Sequence, residues 1–431
     1  MLIKANSDLA IFGGQKVINR PFKIHNPIGI KERIATDRVM RSGVLSKYLG
    51  TWHPDFFGGE EVKDFEKNCA KLFGSKYAVA VNSWTSGLIA AVGAIGVEPG
   101  DEVITTTWTM SATAMAILHW NAIPVFVDID PLTFNLDPSL IESQISNRTK
   151  AILAVDIFGR LSNLPKLREI ADRHGLKIIS DSAQSPAAKI NGKFAHEFAD
   201  ISGISLNYHK HIHTGEGGVI LTDSDELSFR MQLIRNHAES VVSGAGVNNL
   251  SNMIGFNFRL GEVEAAIGSQ QLKKLQPIIQ KLEENSNYLT SLISGLPGLK
   301  TPEISVENRS VYYAYPLVLD QKVVKASRAA IVAGLRAEGL TNLGEGYQNI
   351  HLLPVFQNKI AFGKSGLPWS LGQREVKYNK GICPNAEELH EKTYIGFGIS
   401  GLKLNDKDIR KIANTFEKVW ANLDILESRL S

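Results

Sequence analysis

Short, almost unbroken apolar runs rich in β-branched residues recur through the first half of the chain, with helical stretches between them. They are Tyr77–Val81, Glu102–Thr105, Pro124–Asp128, Ala151–Val155, Lys177–Ser180, Ile201–Ser205 and Gly218–Thr222. A strand with so few polar positions needs cover on both faces. Strands that alternate with helices in this way predict a mainly parallel sheet in an α/β domain. Ligands of such sheets gather at the carboxyl ends of the strands.

The flanking segments read differently. Residues 1–30 contain Gly13, Gly14, Pro21 and Pro27 and read as an irregular arm. A helical pattern follows near Lys31–Arg41, and Glu60–Phe73 sets Val62, Phe65, Cys69 and Leu72 at helical spacing before Gly74 stops it. Gly261–Glu284 reads as one long helix, Tyr312–Leu319 alternates like an antiparallel strand, and residues 407–427 close with a helical pattern. The expected organisation is an arm over 1–30, a large domain over 31–285 and a smaller α+β domain over 286–431.

Charge and cysteine usage narrow the setting. Lys and Arg number 47 against 44 Asp and Glu, a net charge of +3 that gives no reason to expect nucleic acid or an anionic membrane as partner. Two cysteines, Cys69 and Cys383, make no disulfide framework in 431 residues. The opening residues carry no long apolar stretch of a signal peptide. No run of about 18 apolar residues suggests a membrane span. A cytoplasmic protein is expected.

Chemistry-bearing residues sit at or just beyond the strand ends. Val81-Asn82-Ser83-Trp84-Thr85-Ser86-Gly87 leads into a helix expected near Leu88, where N–H groups and small hydroxyls suit a phosphate or a plain helix cap. Trp108 follows its strand and is placed either to stack on a planar ring or to pack in the core. Asp181 ends an apolar strand, where a carboxylate needs a partner such as a protonated ring nitrogen. Lys210 lies between a strand and a Gly-rich turn and suits imine formation with an aldehyde cofactor. Burial, and charged His209 or His211 beside it, would lower its pKa. His209, His211 and His213 alternate, which also admits a zinc site on an extended segment.

Together these segments resemble a known family. Ser205, Lys210 and Gly215-Glu216-Gly217-Gly218 match the Ser-x-x-x-x-Lys-x-x-x-x-Gly-Glu-Gly-Gly signature of the DegT/DnrJ/EryC1/StrS sugar aminotransferases, which have the aspartate-aminotransferase fold (fold type I). Pro99-Gly100-Asp101-Glu102-Val103-Ile104, Asp181-Ser182-Ala183-Gln184 and Gly255-Phe256-Asn257-Phe258-Arg259-Leu260 extend the match.

The resemblance implies a pyridoxal 5′-phosphate enzyme with Lys210 as Schiff-base lysine and proton carrier. It implies that Asp181 pairs with the pyridine nitrogen, Gln184 bonds the phenolic oxygen and Trp108 stacks on the ring. Trp84, Thr85 and Ser205 would hold the phosphate. Asn257 would reach the phosphate of the neighbouring subunit, which implies a homodimer with shared sites. His351 resembles a substrate-side position. Residues 235–255, including Arg235, Asn236, His237 and Glu239, and those around Tyr347–His351 are expected to shape the acceptor pocket. The implied reaction takes an amine from glutamate or glutamine to a keto-sugar, keto-cyclitol or keto-sugar acid, for surface polysaccharide or secondary-metabolite amino sugars. A sugar dehydratase, and a non-catalytic cofactor- or metal-binding regulator, are the alternatives. Trp84 departs from the family pattern, which has Gly there, and Gly87 stands where Ala is usual.

Overall fold

A computed structural model describes residues 8–430, so the first residues of the expected arm lie outside the described residues. The apolar runs become strands β1 (Tyr77–Val81), β2 (Glu102–Thr106), β3 (Ile123–Val127), β4 (Thr149–Val155), β5 (Lys177–Asp181), β6 (Ile201–Ser205) and β7 (Gly218–Thr222). They form one seven-stranded sheet in the order β1-β7-β6-β5-β4-β2-β3. Every residue of β2, β3, β6 and β7 is buried, as cover on both faces requires.

The sheet is parallel from β3 to β6. Strand β7 runs antiparallel to both its neighbours. The cause is the connection. No crossover helix separates Ser205 from Gly218, so the chain can only turn back on itself.

The long helix spans Glu262–Ile293, further than the expected end at Glu284. It links two hydrophobic cores. Ala265, Leu272, Leu275 and Ile279 pack with the seven-stranded sheet, whereas Leu282, Leu289 and Ile293 enter a second cluster. That second core covers an antiparallel sheet of β8 (Leu299–Lys300), β9 (Tyr315–Leu319), β10 (Leu343–Glu345) and β11 (Tyr394–Phe397), in the order β10-β11-β9-β8. The strand expected from Tyr312 begins at Tyr315, because Tyr312 sits at φ 48°, outside extended backbone. Ile350, Phe356, Tyr378, Cys383, Ala386 and Leu389 return to the first core. From the arm, Leu9 and Ile18 pack into the second core, and Glu338 accepts from the Ala10 and Val17 N–H groups at 2.8 and 3.1 Å.

Candidate active site

Strand register assembles the site. Val155, Asp181 and Gly203 are neighbours on β4, β5 and β6, so Asp181 stands at the carboxyl edge of the sheet. The loop from β6 to β7 carries Lys210 and is closed at its base. Ser205 pairs with Gly218, Leu206 N–H donates to Gly217 O at 2.9 Å, and Thr214 N–H donates to Leu206 O at 3.0 Å. A turn bond from Lys210 N–H to Asn207 O at 2.9 Å sets the lysine within it. Gly218 is needed for close approach: a Cβ there would lie 2.8 Å from the Trp84 backbone nitrogen. Lys210, Asp181, Thr85, Ser205, Gln184 and Trp84 line one cavity together.

The helix after β1 begins at Trp84, not near Leu88. Ser83 is its cap and accepts from Ser86 N–H at 3.0 Å through its hydroxyl. Its carbonyl takes Gly87 N–H at 3.1 Å. The first-turn donors of Trp84 and Thr85 therefore remain for a ligand. They meet the helix dipole and the Thr85 and Ser205 hydroxyls at one end of the cavity.

Burial lowers the Lys210 amine from its ordinary 10.5 to about 8, against the opposing pull of Asp181. The neighbouring histidines supply no positive charge for this. Burial lowers the pKa of His209, and that of His211 to about 4, so both are neutral where Lys210 titrates. The expected cationic assistance is replaced by desolvation. Lys210 Nζ sits 4.6 Å from the centroid of the Tyr313 ring. Burial also raises the Asp181 carboxyl, and the hydrogen bond from the Trp84 indole is the largest influence opposing it. That bond, Trp84 Nε1–H to Asp181 Oδ1, is 2.6 Å long.

The structure brings the remaining expected residues together unevenly. Gln184 lines the cavity, accepts from Phe158 N–H at 2.9 Å and donates to the Tyr347 hydroxyl at 3.2 Å. Trp108 does not reach the cavity. It is fully buried behind the wall, with its ring against Tyr347 and Tyr394. Its backbone pairs with Asn349, which turns the indole into the core, and Met110 lines the cavity instead. His351 is also fully buried, between Thr107 and Glu387, with Nε2 at 3.0 Å from the Glu387 carboxylate. Its side chain has no accessible surface and is enclosed by the fold.

Arg235 and Asn236 are likewise structural, Arg235 paired with Glu66 at 2.6 Å and Asn236 holding the Leu49 and Phe56 carbonyls. Asn257 is exposed and outside its own chain's cavity. The three alternating histidines diverge. His209 faces the cavity, His211 Nε2 meets Val311 O at 2.8 Å, and His213 turns to the Gly215 N–H. Among the described residues no group of three or more His, Cys, Asp or Glu could hold a metal ion.

Thr113 was not anticipated: its hydroxyl donates to Asp181 Oδ2 at 3.3 Å and meets Thr109 at 3.0 Å. The spacing of Thr109 and Thr113 at one helix start was the available signal. Tyr313, distant in sequence, had none.

A sequence description of the DegT/DnrJ/EryC1/StrS aminotransferase family matches residues 52–372. The chain belongs to that family. Among its relatives, the spore coat polysaccharide biosynthesis protein SpsC of Bacillus subtilis is 31% identical over 79% of this chain and 86% of its own. The L-glutamine:2-deoxy-scyllo-inosose aminotransferase of Streptoalloteichus tenebrarius is 29% identical over 95% of this chain and 97% of its own. The crystal structure of DesI with its TDP-sugar product superposes with a TM-score of 0.79 at 26% identity, covering 98% of this chain and 99% of DesI. The protein is therefore an aminotransferase of the DegT/DnrJ/EryC1/StrS family with the fold type I architecture.

Proposed function

We propose that this aminotransferase uses pyridoxal 5′-phosphate to move an amino group from glutamate or glutamine to a keto-sugar, keto-cyclitol or keto-sugar acid. The observation that carries this reading is one cavity holding a buried amine lowered to about 8 and a carboxylate at a strand end. The side chains suit the cofactor's chemistry. Lys210 offers the amine for its aldehyde, Asp181 the anion for its ring nitrogen, and Gln184 an amide N–H for its phenolic oxygen. Thr85, Ser205 and the first-turn N–H groups offer donors for its phosphate. Met110 and Ala183 supply apolar wall for the ring.

When bound, the cofactor supplies an electron-withdrawing ring that spreads the negative charge developing at the substrate carbon. Lys210 Nζ would hold the proton taken from the donor's α-carbon. Asp181 would pair with the positive charge of the ring nitrogen. The acceptor class is drawn from the relatives, one named for a cyclitol and one bound to a TDP-sugar, and a role in surface polysaccharide or secondary-metabolite amino sugars follows the same line. Cytoplasmic placement fits buried free thiols at Cys69 and Cys383 and the lack of any described helix apolar enough to cross a membrane.

The test is the visible absorbance of the holoprotein with glutamate and no acceptor. The lysine-bound cofactor band should disappear as an equal amount of 2-oxoglutarate forms; glutamine is the second donor to add. No cofactor binding on reconstitution, or no change with either donor, overturns the reading.

The shared-site homodimer is part of the same proposal. Ile30, Ile34, Leu45, Leu49 and Trp52 expose large apolar side chains along one continuous segment, which marks a surface for a second copy. Asn257 is exposed, as a residue that reaches into a second copy would have to be. Sedimentation should give twice the 47.3 kDa chain mass. A monomer with full activity would sink this part.

A further inference from the structure

The Trp84 indole fills a socket that two glycines make. A Cβ on Gly203 would lie 2.0 Å from its ring, and one on Gly87 would lie 2.6 Å from it. The ring cannot swing without moving strand β6 or its own helix. Held there, Nε1–H points at Asp181 Oδ1 at 2.6 Å, and Ala183 N–H shares that oxygen at 3.1 Å. Among the described residues Oδ2 carries only the longer Thr113 contact at 3.3 Å. Both partners are buried, 5% exposed each, which strengthens the bond between them. A first-turn helix position facing a phosphate needs only a small residue, and a Trp with a matched glycine socket indicates a task for the side chain itself.

We infer that Trp84 is a positioning residue: its indole N–H locks the Asp181 carboxylate in one orientation and leaves the second oxygen for the ring nitrogen of the cofactor. The inference rests on the cofactor reading above. A donor on one carboxylate oxygen also weakens the other as a base. The proton then stays on the ring nitrogen and is not drawn onto Asp181.

Two variants separate this from packing. Trp84→Phe removes the donor and some volume. Incorporating 3-benzothienylalanine at position 84 keeps the shape and replaces N–H with sulfur. Holoproteins reconstituted with ring-15N pyridoxal phosphate report the ring nitrogen directly. In both variants its resonance should move from the pyridinium position towards that of neutral pyridine. Cofactor affinity should fall by about two- to tenfold, the cost of fixing one otherwise mobile side chain on binding. An unchanged resonance and affinity in the benzothienylalanine protein overturns the inference and leaves the cofactor reading standing. A wild-type protein that binds no cofactor overturns both.

Discussion

Lys210→Ala should lower the glutamate half-reaction by about 10⁴-fold or more, at or beyond the top of the range for a positioned acid–base group. The substitution removes both the amine that holds the cofactor and the proton carrier. Rapid-mixing absorbance with glutamate measures it, and a variant within about tenfold of wild type would exclude Lys210 from the chemistry. The apoprotein offers a separate check with a definite sign. Burial sets the folded pKa of Lys210 at about 8, below its ordinary 10.5. The unfolded chain therefore binds more protons between those values, and stability rises with pH across that window. Below pH 8 the buried ammonium opposes folding in full. Lys210→Met should raise the apoprotein's melting temperature at pH 7, and the gain should fade as pH climbs from about 8 to 10.5. A pH-independent difference would mean that the amine is solvated.

Asp181→Asn should slow the same half-reaction by about 10²–10³-fold, the usual loss for removing one preorganised electrostatic group. The change is nearly isosteric. The amide oxygen can still accept from Trp84 Nε1–H, which donates to Oδ1 at 2.6 Å, so the fold should survive. What disappears is the anion that keeps the ring nitrogen charged. The same substitution removes the Coulombic pull of Asp181 that holds the Lys210 pKa up, so that pKa should fall below its present value of about 8. Titration of the apoprotein amine with a reactive aldehyde probe would show it. Retention of most of the rate would mean that the carboxylate faces something other than the ring.

Much of the site was legible in the linear chain, for local reasons. Strand ends are marked by the change from apolar to polar residues, so Asp181 at the end of Lys177–Asp181 and Ser205 at the end of Ile201–Ser205 stood out. The return loop was framed by its glycines. Errors came where a side chain's direction depended on distant partners. Trp108 and Met110 lie on one short segment, and the pairing of Trp108 with Asn349 sends its indole into the core and leaves Met110 at the cavity. His351 reads as a substrate-side residue, yet Thr107 and Glu387 enclose it. The expected boost to Lys210 from charged histidines failed because burial neutralises them as well.

By itself the sequence determined the α/β class, the order of the strands along the chain, and the placing of Asp181 at a strand end and Lys210 between a strand and a Gly-rich turn. These follow from residue periodicity and turn chemistry, which act over a few neighbours. Only the tertiary structure decided that Trp84 enters the socket above Gly203 and donates to Asp181, that Tyr313 lies against Lys210, and that two cores divide along one helix. Those contacts join residues far apart in the chain, and close packing, not local propensity, selects among the ways they can meet.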